Sequence, residues 1–128
     1  MTREPRTFGQ DAEWEAERYL RRKGYRILQR NVRSPRGELD LVTQNGDVLV
    51  FVEVKARRTA AYGGASYAVD GRKQARLIRL AADYLAHHRL RTRSCRFDVV
   101  LLNSGGARRA EIEHIENAFE VPGDDLRW

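Results

Sequence analysis

Two mainly apolar runs whose side chains alternate between faces flank the dipeptide Asn45-Gly46, the strongest short-range signal for a two-residue hairpin turn. With Asn45-Gly46 as that turn, Gln44 faces Asp47, Val42 faces Leu49, Asp40 faces Phe51 and Glu38 faces Glu53. The period of two puts Glu38, Asp40, Val42, Leu49, Phe51, Glu53 and Lys55 on one face, and Leu39, Leu41, Val48, Val50, Val52 and Val54 on the other. The second face is wholly apolar. The first mixes acids with Leu49 and Phe51, which predicts that it is covered as well.

Helical patterns lie on either side of this hairpin. Thr7 with Gln10 reads as a capping box opening a helix that Gly24 closes, with a buried stripe of Ala12, Ala16, Tyr19, Leu20 and Lys23. Glu13 borders that stripe, and its periodicity fits a side chain aimed at the sheet as well as a solvated one like Glu15 and Glu17. Tyr25 to Val32 reads as a strand ending at Ser34-Pro35-Arg36-Gly37. After the hairpin, Thr59 to Tyr67 is a small-residue loop of the kind that covers sites. Asp70 then caps a helix with the stripe Leu77, Leu80, Ala81, Tyr84 and Leu85, and Lys73 lies on the same face one turn earlier. Cys95 to Leu102 and Glu111 to Ile115 read as strands, separated by a turn at Asn103-Ser104-Gly105-Gly106 and followed by Pro122-Gly123 and a polar tail. The order helix, three strands, helix, two strands predicts a single α/β domain over residues 1–128, a sandwich with a mixed central sheet flanked by helices.

Charge adds a chemical reading. Opposed side chains in an antiparallel pair are roughly 5 Å apart, and two carboxylates at that distance repel by roughly 3 kcal/mol at an effective dielectric near 20. Glu38, Asp40 and Glu53 therefore call for a shared proton or a cation, and a divalent metal with oxygen ligands suits them best. Lys55 on the same face can reach a water or a developing phosphoryl charge. An amphipathic hairpin with solvated acids would share the pattern, yet a lysine here departs from the habit of a chain with 21 Arg and three Lys. The net charge of +6 and pI near 10.0 suggest a polyanionic partner. Arg30, Arg33 and Arg36 approach Asp40, and Arg57, Arg58 and Lys73 follow the hairpin. All are candidates for phosphate contact, and equally ordinary surface cations. The lone Cys95 excludes an internal disulfide and a cysteine-based zinc cluster. His87 and His88 are adjacent at a helix C-terminus, about 100° apart, and read as favourable charges there. Gly64 to Lys73 lacks P-loop spacing, with Gln74 in place of the required Ser or Thr. The absence of a spanning apolar run or an apolar leader predicts no membrane association and a cytoplasmic protein.

Asp40 followed after a hairpin by Glu53-Val54-Lys55 resembles the PD-(D/E)XK motif of restriction-endonuclease-like nucleases, including archaeal Holliday-junction resolvases. Gly9, Glu13, Ala16, Leu20, Gly24-Tyr25, Asn31, Arg33, Gly37 to Leu41, Phe51 to Lys55, Gly63 or Gly64, Lys73 and Arg96-Phe97-Asp98 resemble the bacterial YraN family nearly end to end. No proline precedes Asp40, a departure from the parent motif. The resemblance implies a restriction-endonuclease-like fold, with Asp40, Glu53 and Lys55 as catalytic residues and Mg²⁺ or Mn²⁺ held by Asp40, Glu53, Glu13 and Glu38. It also implies DNA in preference to RNA as partner, and it leaves a homodimer open. Three functions follow as expectations: a metal-dependent endonuclease, structure-selective or not; a silent nucleic-acid-binding module; and a protein-interaction scaffold.

Overall fold

The computed structural model describes residues 8–57, 69–90, 93–103 and 111–121. Its elements are α1 (Phe8–Arg22), β1 (Arg26–Ser34), β2 (Gly37–Asn45), β3 (Val48–Arg57), α2 (Gly71–His87), β4 (Cys95–Asn103) and β5 (Glu111–Ile115), in the expected order. They build one five-stranded sheet in sequential order, antiparallel except for the parallel β3/β4 pair. That pair requires a crossover, which α2 supplies. The chain is thus an α/β sandwich around a mixed sheet.

Each helix buries the stripe its sequence encodes. Ala12, Ala16 and Leu20 of α1 pack with Leu41, Val50, Val52, Val100 and Leu102 on one face of the sheet. On the other face Leu77, Leu80, Ala81, Tyr84 and Leu85 of α2, the whole expected stripe, pack with Val42, Leu49, Phe51, Phe97, Val99 and Leu101. Phe51 meets Tyr84 edge-on at 5.9 Å and Phe97 at 5.5 Å, so the charged hairpin face is indeed covered near its turn. Lys23 departs from the expected stripe: it is exposed and reaches His114 and Glu116, while Glu17 takes a buried place.

The helix ends follow their signals. Gly24, at φ +94, closes α1: its N–H donates to the Arg21 carbonyl and the Tyr25 N–H to the Leu20 carbonyl, the paired bonds of a Schellman motif. Asp70 caps α2 by accepting from the Lys73 N–H at 2.8 Å. The expected cap at Thr7, the glycines at 63 and 64, the loop 59–67, the 104–106 turn and the tail lie outside the described residues. His87 and His88 end α2 with the His88 ring stacked on Tyr84, consistent with a helix terminus and not a ligand pair.

Two details of the hairpin differ from expectation. The turn is Gly46-Asp47, so Asn45 pairs with Val48, Gln44 with Leu49 and Val42 with Phe51, a register shifted by two residues. Of the two turn residues only Gly46 adopts positive φ, at +61. A turn with both central residues left-handed is therefore not formed, and glycine at the first central position meets the need alone. A shift of two preserves which face each residue occupies, but Asp40 now stands level with Glu53, where Glu38 was expected. The second difference is Leu39, which joins the α2-side cluster although Leu41 packs under α1. Side chains two apart in a regular strand share a face, so β2 rotates about its axis at Asp40.

Candidate metal and phosphate site

That rotation builds the site. The β2/β3 ladder ends at Leu41–Val52, and beyond it the Asp40 carboxylate, instead of a backbone carbonyl, accepts the Val54 N–H at 2.8 Å. The strands separate there, and Asp40 fills the fork. On the neighbouring edge strand Asn31 sits at φ +49 between the paired residues Arg30 and Val32. Asparagine is among the few residues that tolerate the left-handed region. Its side-chain amide donates to both oxygens of Glu13, at 3.1 and 3.2 Å, and to Glu38 at 2.6 Å. Glu13 of α1 therefore points to the sheet, and its solvated alternative is set aside.

One carboxylate oxygen from each of Glu13, Glu38 and Asp40 lies within 4.8 Å of the others. Glu53 approaches Asp40 from β3, while the Lys73 ammonium at the start of α2 pairs with Glu53 Oε1 at 2.6 Å. Asp40 is thus shared between two acidic groups, Glu13 with Glu38 and Glu53 with Lys73. Burial, then repulsion from Glu53, push its carboxyl from the ordinary 3.8 to about 7; the Val54 N–H opposes this, and Glu13 and Glu38 add to it. The donor set is all oxygen and mostly anionic, the chemistry that Mg²⁺ or Mn²⁺ prefers. Glu13, Glu38 and Asp40 therefore fit such an ion, with no geometry for it implied; Glu53 neighbours Asp40 but is outside this converging group and is engaged by Lys73.

The cations surround this group unevenly. Lys55 follows Glu53 by two positions on β3 and is exposed. Arg33, with its side chain 79% exposed, touches Glu38 at 3.3 Å, and Arg36 is exposed in the β1/β2 turn. Arg30 is diverted from the site to form a two-pronged pair with the buried Glu17, and this contact, followed by burial in opposition, lowers the Glu17 carboxyl. The Arg57 side chain and all of Arg58 lie outside the described residues. Asn31 belongs to the family resemblance, but nothing in the local sequence assigns it a role at the site. The signal available was an asparagine in a weakly alternating strand, level with the acidic hairpin.

On the neighbouring strand β4, level with Val52, Asp98 is buried and satisfied by Arg96 at 3.0 Å, His114 at 2.7 Å and the Asn117 N–H at 2.9 Å. Burial pushes its carboxyl up, but the bonds from His114, Arg96 and Asn117 prevail and hold it below the usual range. It ties β4 to β5, a structural role.

Fold and site together define an α/β protein whose mixed sheet carries a carboxylate and lysine site at the fork of its central hairpin. The chain belongs to the uncharacterised protein family UPF0102, whose family model matches residues 12–102; this is the YraN family of the resemblance. Similar proteins include UPF0102 proteins of Symbiobacterium thermophilum, 48% identical over 91% of this chain and 98% of its own, and of Moorella thermoacetica, 47% identical over 93% and 100%. A UPF0102 protein of Magnetococcus marinus is 46% identical over 91% of this chain and 94% of its own. Among the described residues no helix is long and apolar enough to cross a membrane.

Proposed function

We propose that the protein is a divalent-metal-dependent nuclease hydrolysing DNA phosphodiester bonds in the cytoplasm. The observation that carries this reading is Asp40: it is held in a strand fork, half-buried among three other acids, at a cost to the fold that a bound cation removes. Glu13, Glu38, Asp40 and Glu53 would hold Mg²⁺ or Mn²⁺, which when bound supplies Lewis-acid polarisation of a phosphoryl oxygen and a more acidic water. The chain's own residues do the remainder. Lys55 Nζ donates to the attacking water or to the charge developing on phosphorus, and as an ammonium on a flexible stem it reaches where a guanidinium fork does not fit. Asn31 and Arg33 hold Glu13 and Glu38 in place. Arg33 and Arg36, exposed beside the site, take flanking phosphates and set affinity without reading sequence.

A second reading, a silent nucleic-acid-binding module, draws on Lys73 and Asn31, which already compensate part of the acidic charge from within the chain. Cleavage of labelled duplex, flap and four-way DNA with Mg²⁺ or Mn²⁺, by the parent, Asp40→Asn and Lys55→Ala, separates the two. The nuclease reading expects metal-dependent product from the parent alone. Binding without product on any substrate would favour the module.

A further inference from the structure

The proposed nuclease site assigns work to every charged group around Asp40 except Lys73, which forms a close ion pair within the cluster. Its ammonium lies 2.6 Å from Glu53 Oε1, with the two side chains only 28% and 12% exposed. The position is set by the fold. Asp70 caps the helix by accepting the Lys73 N–H, and Gln74 Nε2 holds the Val69 carbonyl at 2.6 Å, so the first turn of α2 is fastened from both sides. Lys73 thus reaches Glu53 from a different element than Lys55, which follows Glu53 on β3 itself.

We propose that Lys73 is an exchangeable counter-ion: it neutralises Glu53 in the metal-free protein, yields that carboxylate to a divalent cation, and then contacts a phosphate of the nucleic acid. The proposal rests on the metal-dependent reading of the site. The ammonium 2.6 Å from Oε1 neutralises the Glu53 carboxylate and would repel a divalent cation brought to the same group, so the contact and the cation compete for one negative charge. Displacement costs little when the released ammonium gains another anion, and a lysine with three rotatable donors can make that move where an arginine fork could not. The charges fit such an order of events. With Lys73 on Glu53, the pair presents no net charge to DNA; with a cation on Glu53, the same lysine becomes an additional positive group beside the site. Cation and nucleic acid are then positively coupled through one side chain, and the coupling is reciprocal.

The test uses Ca²⁺, a hard oxygen-seeking cation, with a short DNA duplex and the intact protein. Replacing the ammonium in Lys73→Met removes the competitor, and Ca²⁺ binding is expected to tighten roughly tenfold, about 1.4 kcal/mol. Ca²⁺ should raise the affinity of the parent for duplex severalfold; Lys73→Met, which leaves Glu53 uncompensated, should bind duplex more weakly than the parent without Ca²⁺ and should show a smaller Ca²⁺ increment, since the released ammonium is missing. The Lys73 ammonium resonance should be protected in metal-free protein and should exchange freely once Ca²⁺ is saturating. Glu53→Gln, which removes this carboxylate contact, should make the ammonium exchange faster than in the parent without Ca²⁺. If Ca²⁺ binds with Glu53-dependent affinity but the ammonium stays protected and Lys73→Met keeps the full DNA increment, the exchange is overturned and the metal site stands. If Ca²⁺ does not bind the parent, the metal reading fails and the exchange with it.

Discussion

Replacing Asp40 with Asn in metal-free protein should stabilise the fold at alkaline pH, an unusual outcome for a part-buried polar residue bonded to backbone. The carboxyl is pushed from 3.8 to about 7, burial being the main cause and Glu53 the second. Because the folded value lies above the unfolded one, the native state binds the extra proton, so stability is full below the unfolded value and is lost as pH rises through about 7. At about 1.36 kcal/mol per pH unit, the ionised Asp40 costs the native state about 4 kcal/mol near pH 8. Asparagine keeps an oxygen for the Val54 N–H bond of 2.8 Å and removes the charge. Allowing for relaxation of Glu13, Glu38 and Glu53, we expect Asp40→Asn to gain about 2 to 4 kcal/mol at pH 8 and close to nothing near pH 4. For a chain of this length that is a rise in Tm of roughly 6 to 16 °C. Calorimetry with a chelator at both pH values measures it, and excess Mg²⁺ should reverse the order by stabilising only the parent. A variant less stable than the parent at pH 8 would mean that Asp40 is an ordinary satisfied carboxylate and not the strained centre of a metal site.

Glu17 is expected to behave in the opposite sense. Its carboxyl is held low chiefly by Arg30, so its contribution is present above the unfolded value and disappears as pH falls through the folded one. Glu17→Gln should cost about 1 to 2 kcal/mol at pH 7 and little in acid, read by urea unfolding at each pH. Asp98→Asn should cost about 2 to 4 kcal/mol, because it leaves the part-buried Arg96 and the His114 ring against a neutral partner; a cost under about 1 kcal/mol would mean that Asp98 does not hold β4 to β5. Lys55→Ala should reduce metal-dependent cleavage by about 100-fold or more while leaving duplex affinity within about threefold, with Lys55→Arg also strongly impaired. Full activity in both variants would show that Lys55 is not catalytic.

The elements were legible because each rests on a short-range rule: Asp70 as cap, Gly24 as helix end, and a period of 3.6 that picks out the five buried residues of α2. The hairpin was legible in its faces from Leu41 to Val52, but not at Leu39 and not in its pairing. Asn45-Gly46 marks a turn in either register, and the choice fell to the one turn residue, Gly46, that takes positive φ. Because the error was an even number of residues, the acids stayed together and only their partners changed. Asn31 was not readable as a site residue, since its role depends on a left-handed kink in β1 that brings its amide between Glu13 of α1 and Glu38 of β2. Nor could Lys73 be placed against Glu53: that contact is made where α2 lies against the sheet, a tertiary event with no local signature. Arg30 shows the converse, a basic residue near the site in sequence that the fold commits to Glu17.

If the proposed site is real, Asp40 and its neighbours bind a divalent cation in place of a proton. Titration calorimetry with Mn²⁺ near pH 7, repeated in two buffers of different ionisation enthalpy, measures affinity and proton release together. The parent should bind Mn²⁺ and release a substantial fraction of one proton, since Asp40 titrates at about 7. Asp40→Asn should bind at least tenfold more weakly and release almost none. Undetectable Mn²⁺ binding by the parent, or equal affinity and proton release in the variant, would contradict the account.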